Sequence, residues 1–155
     1  MYMPEGHDAG GLVVVTGASG YIGSYIVANL LSKGRSVRAT VRDSTDPERV
    51  EHLRALPLGN GGSLEIVEMD LLDAGSVNEA ISGCREVIHT AAVVVLNAKN
   101  PQEKIVDPSV IGTRNVLRAI DSSGTVECLV HTSSTAAIRP QRWKDGQVLT
   151  TETWA

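Results

Sequence analysis

The feature that most constrains this chain is the stretch Gly11 to Gly34, GLVVVTGASGYIGSYIVANLLSKG. Leu12 to Val15 is apolar at every position, the pattern of a short strand buried on both faces of a parallel sheet. Tyr21, Ile22, Tyr25, Ile26, Leu30 and Leu31 then recur at helical spacing. Between the two lies Thr16-Gly17-Ala18-Ser19-Gly20-Tyr21-Ile22-Gly23, whose glycines are spaced G-x-x-G-x-x-G. Such glycines permit a tight turn, close approach of backbone to a pyrophosphate, and close packing of helix on strand. The pyrophosphate would rest on the unpaired amides and positive dipole end of the helix. The stretch predicts a dinucleotide-binding βα unit, with Thr16, Gly17, Ser19, Gly20, Tyr21, Ile22 and Gly23 as cofactor contacts.

Beyond Gly34 the alternation of strand and helix repeats. Gly34 is placed to end the first helix, and Ser36 to Val41 (SVRATV) reads as a second strand. An acidic residue at the end of such a strand binds the ribose 2′-hydroxyl of NAD, whereas an arginine accommodates the 2′-phosphate of NADP. Here Val41 holds the strand end and Arg42 follows it, which favours NADP over NAD. Asp43 reads as capping the next turn. Thr45-Asp46-Pro47 signals a helix over 47–55, and Arg49 within it is a second cation for the 2′-phosphate. Both arginines also fit a plain solvated role.

Leu64 to Met69 predicts a third strand, followed by Asp70-Leu71 and a short helix over 73–82 that Gly83 closes. Glu86 to Ala91 predicts a fourth strand. Ala91, Ala92 and Val93 at its end are small enough to let a cofactor ribose approach the backbone, or are ordinary packing residues. His89, inside an apolar strand, reads as a core residue. Val94 to Ile105 reads as a long loop near the cofactor, and Asp107-Pro108 as the start of a helix with Val110, Ile111, Val116, Leu117 and Ile120 on its apolar face. Val126 to Thr132 predicts the fifth strand, with Ser133-Ser134-Thr135 after it and a polar loop, with or without a short helix, to Ala155.

Length and charge narrow the function classes. At 155 residues the chain forms one domain with its own core, residues 11–155, behind a flexible N-terminal segment, residues 1–10. A net charge of -4 and a pI near 5.5 argue against nucleic-acid or anionic-membrane partners. Cys84 and Cys128 have neither disulfide nor zinc spacing and read as small buried hydrophobes. The first ten residues lack the apolar core of a signal peptide, and a reducing, cytoplasmic location is the default expectation.

Taken together, the segments resemble the short-chain dehydrogenase/reductase family, whose fingerprint is TGxxGxxG. Within it they resemble the extended enzymes that include dihydroflavonol, anthocyanidin and cinnamoyl-CoA reductases. The resemblance rests on VTGASGYIGSYIV at the first turn, RATVRD at 38–43, Leu53 to Pro57, Asp70-Leu71, ISGC at 81–84, TSS at 132–134 and the closing ETWA. It implies a Rossmann fold, a doubly wound parallel sheet, incomplete on its carboxyl-terminal side. It further implies that Asp70 and Leu71 contact the adenine, that Thr132 and Ser133 border the cofactor, and that Ser134 orients a carbonyl substrate. Asp70 is equally suited to capping its own turn. Gly112-Thr113 matches the family's helix pattern, its glycine packing on the sheet.

The family's proton donor is the tyrosine of Y-x-x-x-K. This chain has Tyr2, Tyr21 and Tyr25, and the residues four places on are Gly6, Tyr25 and Asn29. The resemblance therefore implies an amino-terminal portion of an NADPH-dependent carbonyl reductase, inactive alone, with exposed edges that favour aggregation. Two other enzyme readings share the fold: a sugar-nucleotide epimerase or dehydratase holding NAD, and a hydroxysteroid dehydrogenase-like enzyme. The first usually carries an acid at the second strand's end and an asparagine before the Val-x-Gly-Thr pattern, where this chain has Val41 and Ser109. A non-catalytic NADPH-binding module is the third alternative.

Overall fold

Val-rich runs alternating with amphipathic segments fold into three layers, two of helices with a sheet between them. In the computed structural model, residues 10–93, 97–139, 146 and 148–153 are described. The strands are β1 (Val13–Thr16), β2 (Ser36–Val41), β3 (Ser63–Glu68), β4 (Glu86–His89) and β5 (Cys128–His131). They form a parallel sheet in the order β3-β2-β1-β4-β5. The expected doubly wound Rossmann arrangement is thus present. Leu12 and Met69 fall just outside their strands, β4 stops at His89 and β5 covers only the middle of its predicted span.

Strand alternation sends the two faces of β1 into separate cores. Val13 and Val15 pack with Val27, Leu30 and Leu31 of α1 (Tyr21–Ser32) and with Val50 and Leu53 of α2 (Pro47–Arg54). Val14 packs on the other face with Val77, Ala80 and Ile81 of α3 (Ala74–Ile81) and Val116 and Ala119 of α4 (Asp107–Ser123). All three valines are fully buried, as expected for a central parallel strand covered on both sides.

Apolar spacing predicts the buried faces of the two long helices in part: Leu30, Leu31 and Val116 are buried and Ile26 and Ile120 pack against the cores, whereas the other expected members are exposed. In α1, Tyr21, Ile22 and Tyr25 are exposed, and the buried stripe is Gly23, Val27, Leu30 and Leu31. Gly23 sets this orientation by lying directly against the Gly17 carbonyl, where a side chain has no room. In α4, Val110, Ile111 and Leu117 are exposed, while Gly112, Asn115, Val116 and Ala119 are buried. Small residues let α4 approach Leu71, whose Cβ lies 3.0 Å from where a Gly112 Cβ would stand. Gly112 therefore packs on the turn after β3, not on the sheet.

Gly34 takes φ +74° just past α1, as a helix-ending glycine should. The predicted loop over 94–105 is partly helical: Gln102–Val106 forms a π-helical turn that runs into α4. Pro108 has no N–H for an ordinary helical bond, and the widened turn precedes it. A four-residue helix, α5 (Thr135–Ile138), opens the final segment. Residues 1–9, 94–96, 140–145, 147 and 154–155 lie outside the described residues, and with them most of the N-terminal segment, Pro140, Arg142, Lys144 and half of ETWA. No described helix is long and apolar enough to cross a membrane, and no described cluster of His, Cys, Asp or Glu is arranged to hold a metal.

Candidate functional site

The sheet order reverses between β1 and β4, and a cleft of about 590 Å³ opens there at the strands' carboxyl ends. Its wall gathers residues from sequence-distant segments. Gly17, Ser19 and Gly20 come from the first turn, Arg42 and Arg49 from the region after β2, Asp70 and Leu71 from the turn after β3, and Ala91, Ala92 and Val93 from the end of β4.

The glycine turn is shaped by what it touches. Gly17 adopts φ +67°, and a Cβ on it would lie 2.9 Å from the Ala91 Cα, so only glycine lets the two strand ends meet this closely. Gly20 N donates to Gly17 O at 3.0 Å and begins α1 with no side-chain cap. By contrast Asp46, Asp73 and Ser134 cap α2, α3 and α5. An uncapped first turn presents amides and positive dipole to the cleft mouth, an arrangement suited to an anion. Tyr21, Ile22 and Gly23 form this turn outside the cleft wall, with both large side chains facing solvent.

At the β2 end the cleft is cationic. Arg42 is exposed and has no ion-pair partner among the described residues. Arg49 Nε donates to Asp46 Oδ2 at 2.8 Å, so its charge is already half answered. Asp43 Oδ1 accepts from the hydroxyl and amide of Thr45 at 2.6 and 2.8 Å. The Thr45 hydroxyl, followed by the Thr45 amide, lowers the Asp43 pKa below the usual carboxylate range, and the side chain stays out of the cleft wall.

The opposite wall is fixed by hydrogen bonds the sequence did not announce. Asp70 Oδ1 accepts from Leu72 N at 2.9 Å, the local turn bond of its alternative role, yet the residue still lines the cleft. Asn115, buried on α4, donates from Nδ2 to Leu71 O at 2.9 Å. Gly112 and Asn115 of one helix thus hold Leu71 by its side chain and by its backbone.

In the middle, Thr16 and His89 are partners in the β1–β4 register, and both are buried. The Thr16 hydroxyl lies 2.7 Å from His89 Nδ1 and accepts from Thr90 N and Ala91 N, each at 3.1 Å. Burial, with a smaller contribution from His131, pushes the His89 pKa down to about 4, so the ring is neutral near pH 7. Its expected place in the core is the place it has. Thr16 lies beneath the cleft wall.

Thr132, Ser133 and Ser134 are exposed beyond the edge strand and outside the cleft wall. Thr132 N donates to His89 O at 3.0 Å, extending the ladder by one bond. Ser134 Oγ accepts from Ala136 N at 3.1 Å, which leaves its own proton to donate. The wall also includes Thr40, Val41, Met69, Leu72, Thr90 and Pro108, which were not among the expected contacts. Each except Pro108 lies within two residues of an expected one, so the strand-end rule locates them once the register is known.

The pattern of the 3-beta hydroxysteroid dehydrogenase/isomerase family matches residues 14–155. The cinnamoyl-CoA reductase CAD2 of Medicago truncatula is 40% identical over 148 residues, covering 95% of this chain and 45% of that protein. The dihydroflavonol 4-reductase of Hordeum vulgare is 43% identical over 128 residues, covering 83% and 36% respectively. Among solved structures, Gre2 of Candida albicans in complex with NADPH superposes with a TM-score of 0.75 at 32% identity, over 92% of this chain and 43% of that one. The chain spans less than half the length of each of these proteins.

Proposed function

The chain belongs to the 3-beta hydroxysteroid dehydrogenase/isomerase family, and we propose that it is the NADPH-binding portion of an oxidoreductase that reduces a small-molecule carbonyl. One observation carries the reading: a single cleft has an uncapped helix start at its middle and the unpaired Arg42 at its β2 end. A dinucleotide bearing a 2′-phosphate has anionic groups to match both. Its diphosphate would rest on the amides of the Gly17 to Gly23 turn, with Arg42 and Arg49 on the 2′-phosphate. Asp70 and Leu71 would border the adenine, and Ala91, Ala92 and Val93 would border the ribose.

NADPH would supply a hydride for the carbonyl carbon. Ser134, with its hydroxyl proton uncommitted, would donate to the carbonyl oxygen and orient it. Thr132 and Ser133 would form the cofactor side of that position. The tyrosine acid of the resembling enzymes has no counterpart in this sequence, and general acid catalysis contributes roughly 100- to 10,000-fold in rate. The isolated chain should therefore bind NADPH without measurable turnover, and steady NADPH oxidation by the pure chain with an aldehyde or ketone would disprove that.

The sugar-nucleotide reading needs NAD, whose ribose hydroxyl wants an acid where the structure has the buried Val41 and the outward Arg42. The hydroxysteroid reading differs in substrate and in running hydride transfer from a hydroxyl to the oxidised cofactor. Titration of the chain with NADPH and NADH, followed by ligand fluorescence, decides the cofactor. At least about tenfold tighter binding of NADPH is expected from one charge-assisted contact. Preference for NADH would sink the proposal.

A further inference from the structure

We propose that His89 is a positioning residue for the cleft: its Nδ1 accepts a hydrogen bond from the Thr16 hydroxyl and so commits the lone pairs of that oxygen to the amides of Thr90 and Ala91. The inference rests on the nucleotide reading of the cleft only for its consequence in binding.

Hydrogen-bond capacity decides the arrangement. A threonine hydroxyl has one proton and two lone pairs. Thr90 N and Ala91 N both point at Thr16 Oγ1 from 3.1 Å, and an amide can only donate, so the two lone pairs are taken. The single proton is left for the remaining neighbour, His89 Nδ1 at 2.7 Å. That nitrogen must then be the acceptor, and the neutral ring carries its proton on Nε2. The opposite tautomer, or a charged ring, would aim an N–H at the hydroxyl and compete with one of the two amides.

Those amides sit at a critical place. Ala91 lines the cleft and touches the position where Gly17 forbids a Cβ, so the Thr16 hydroxyl pins the β4 end to the β1 turn. Thr90 Oγ1 returns a bond to Thr16 O, which closes a ring of contacts between the two strand ends. His131, with its ring centroid 5.0 Å from that of His89, is the ionisable group that faces His89 from β5. It continues the row Thr16, His89, His131 across three strands in register. Each member immediately precedes a segment at the carboxyl edge of the sheet: the glycine turn, the Thr90-Ala91 end and the Thr132 to Ser134 segment.

The test uses the chain labelled with ¹⁵N. The histidine ring spectrum at pH 7 should show His89 with an unprotonated Nδ1 and a protonated Nε2, and a proton on Nδ1 would overturn the inference. Amide exchange in His89→Phe should rise at least about tenfold at Thr90 and Ala91, with Val14 and Val87 unchanged. A general loss of stability would instead raise all four together. Thr16→Val should give the same local rise and Thr16→Ser should reverse it. NADPH affinity should fall about tenfold in His89→Phe. Unchanged exchange at both amides in a folded His89→Phe chain would refute the positioning role. If His89→Phe does not fold, the ring spectrum of the unaltered chain decides. Should that chain show the expected tautomer and exchange yet bind no NADPH, the nucleotide reading fails and the positioning role stands.

Discussion

Two side chains at the site show how far identity alone predicts behaviour. The Arg42 argument needs only the strand-end position, which the SVRATV run already marks, and Arg42 follows β2 directly and lines the cleft. Arg42→Ala should weaken NADPH by about tenfold or more while leaving NADH within about twofold, since only the former offers a 2′-phosphate for a charge-assisted bond. Equal losses for both cofactors would place Arg42 elsewhere. The burial of His89 was legible from the apolar residues around it, but its bond to Thr16 was not. That bond joins residues 73 apart in sequence and depends on β1 and β4 being neighbours. Its pH consequence has a definite sign. The folded ring titrates at about 4 and an unfolded one near 6.5, so between those values the unfolded state binds the extra proton. This contribution is whole above pH 6.5 and is lost as pH falls to about 4, a cost of roughly 3 kcal/mol. Urea midpoints at pH 7 and pH 4.5 should differ accordingly, and His89→Phe should flatten the difference.

At the scale of elements, the sequence announces existence and order better than orientation. Strand and helix segments follow from β-branched runs and from start signals such as Thr45-Asp46-Pro47, where Asp46 does accept from Glu48 N. Which of the apolar residues of α1 and α4 are left outside follows instead from glycine. Apolar periodicity counts Tyr21, Tyr25, Val110 and Leu117 as facing inward, yet the close contacts that fix each helix are made at Gly23 and Gly112, which hydropathy scores as neutral. A methyl at position 23 would collide with the Gly17 carbonyl oxygen, a backbone atom that cannot move without deforming the turn. Gly23→Ala should therefore cost about 1–3 kcal/mol in chemical denaturation and abolish NADPH binding. Gly112→Ala meets the Leu71 Cβ at 3.0 Å, a milder approach that requires Leu71 to move by a few tenths of an ångström. It should cost less stability while still weakening the cofactor through the displaced Leu71. A Gly23→Ala chain as stable as the unaltered one would show that the tight turn is not what orients α1.

Over the whole molecule, the cleft is not a local loop feature, because its wall is drawn from the ends of β1, β2, β3 and β4, and both cores lie beneath it. A ligand held there should stabilise the entire sheet, and Cys84 gives a distant report of that. Cys84 is fully buried in the core shared with α3 and α4, in the connection between α3 and β4, and burial pushes its thiol up to about 11. A thiol so raised is almost entirely protonated at neutral pH and reacts with alkylating agents only when the core opens. Cys128, half-buried on the edge strand, is the internal comparison. At a free NADPH concentration about 100 times the dissociation constant, linkage adds about 2.7 kcal/mol to the folded state. If Cys84 is exposed only by global opening, its labelling by iodoacetamide should slow by about 100-fold under those conditions, with Cys128 slowing less. An unchanged Cys84 rate at saturating NADPH would mean that the core opens independently of the cleft, and that the strand ends and the body of the sheet are separate cooperative units.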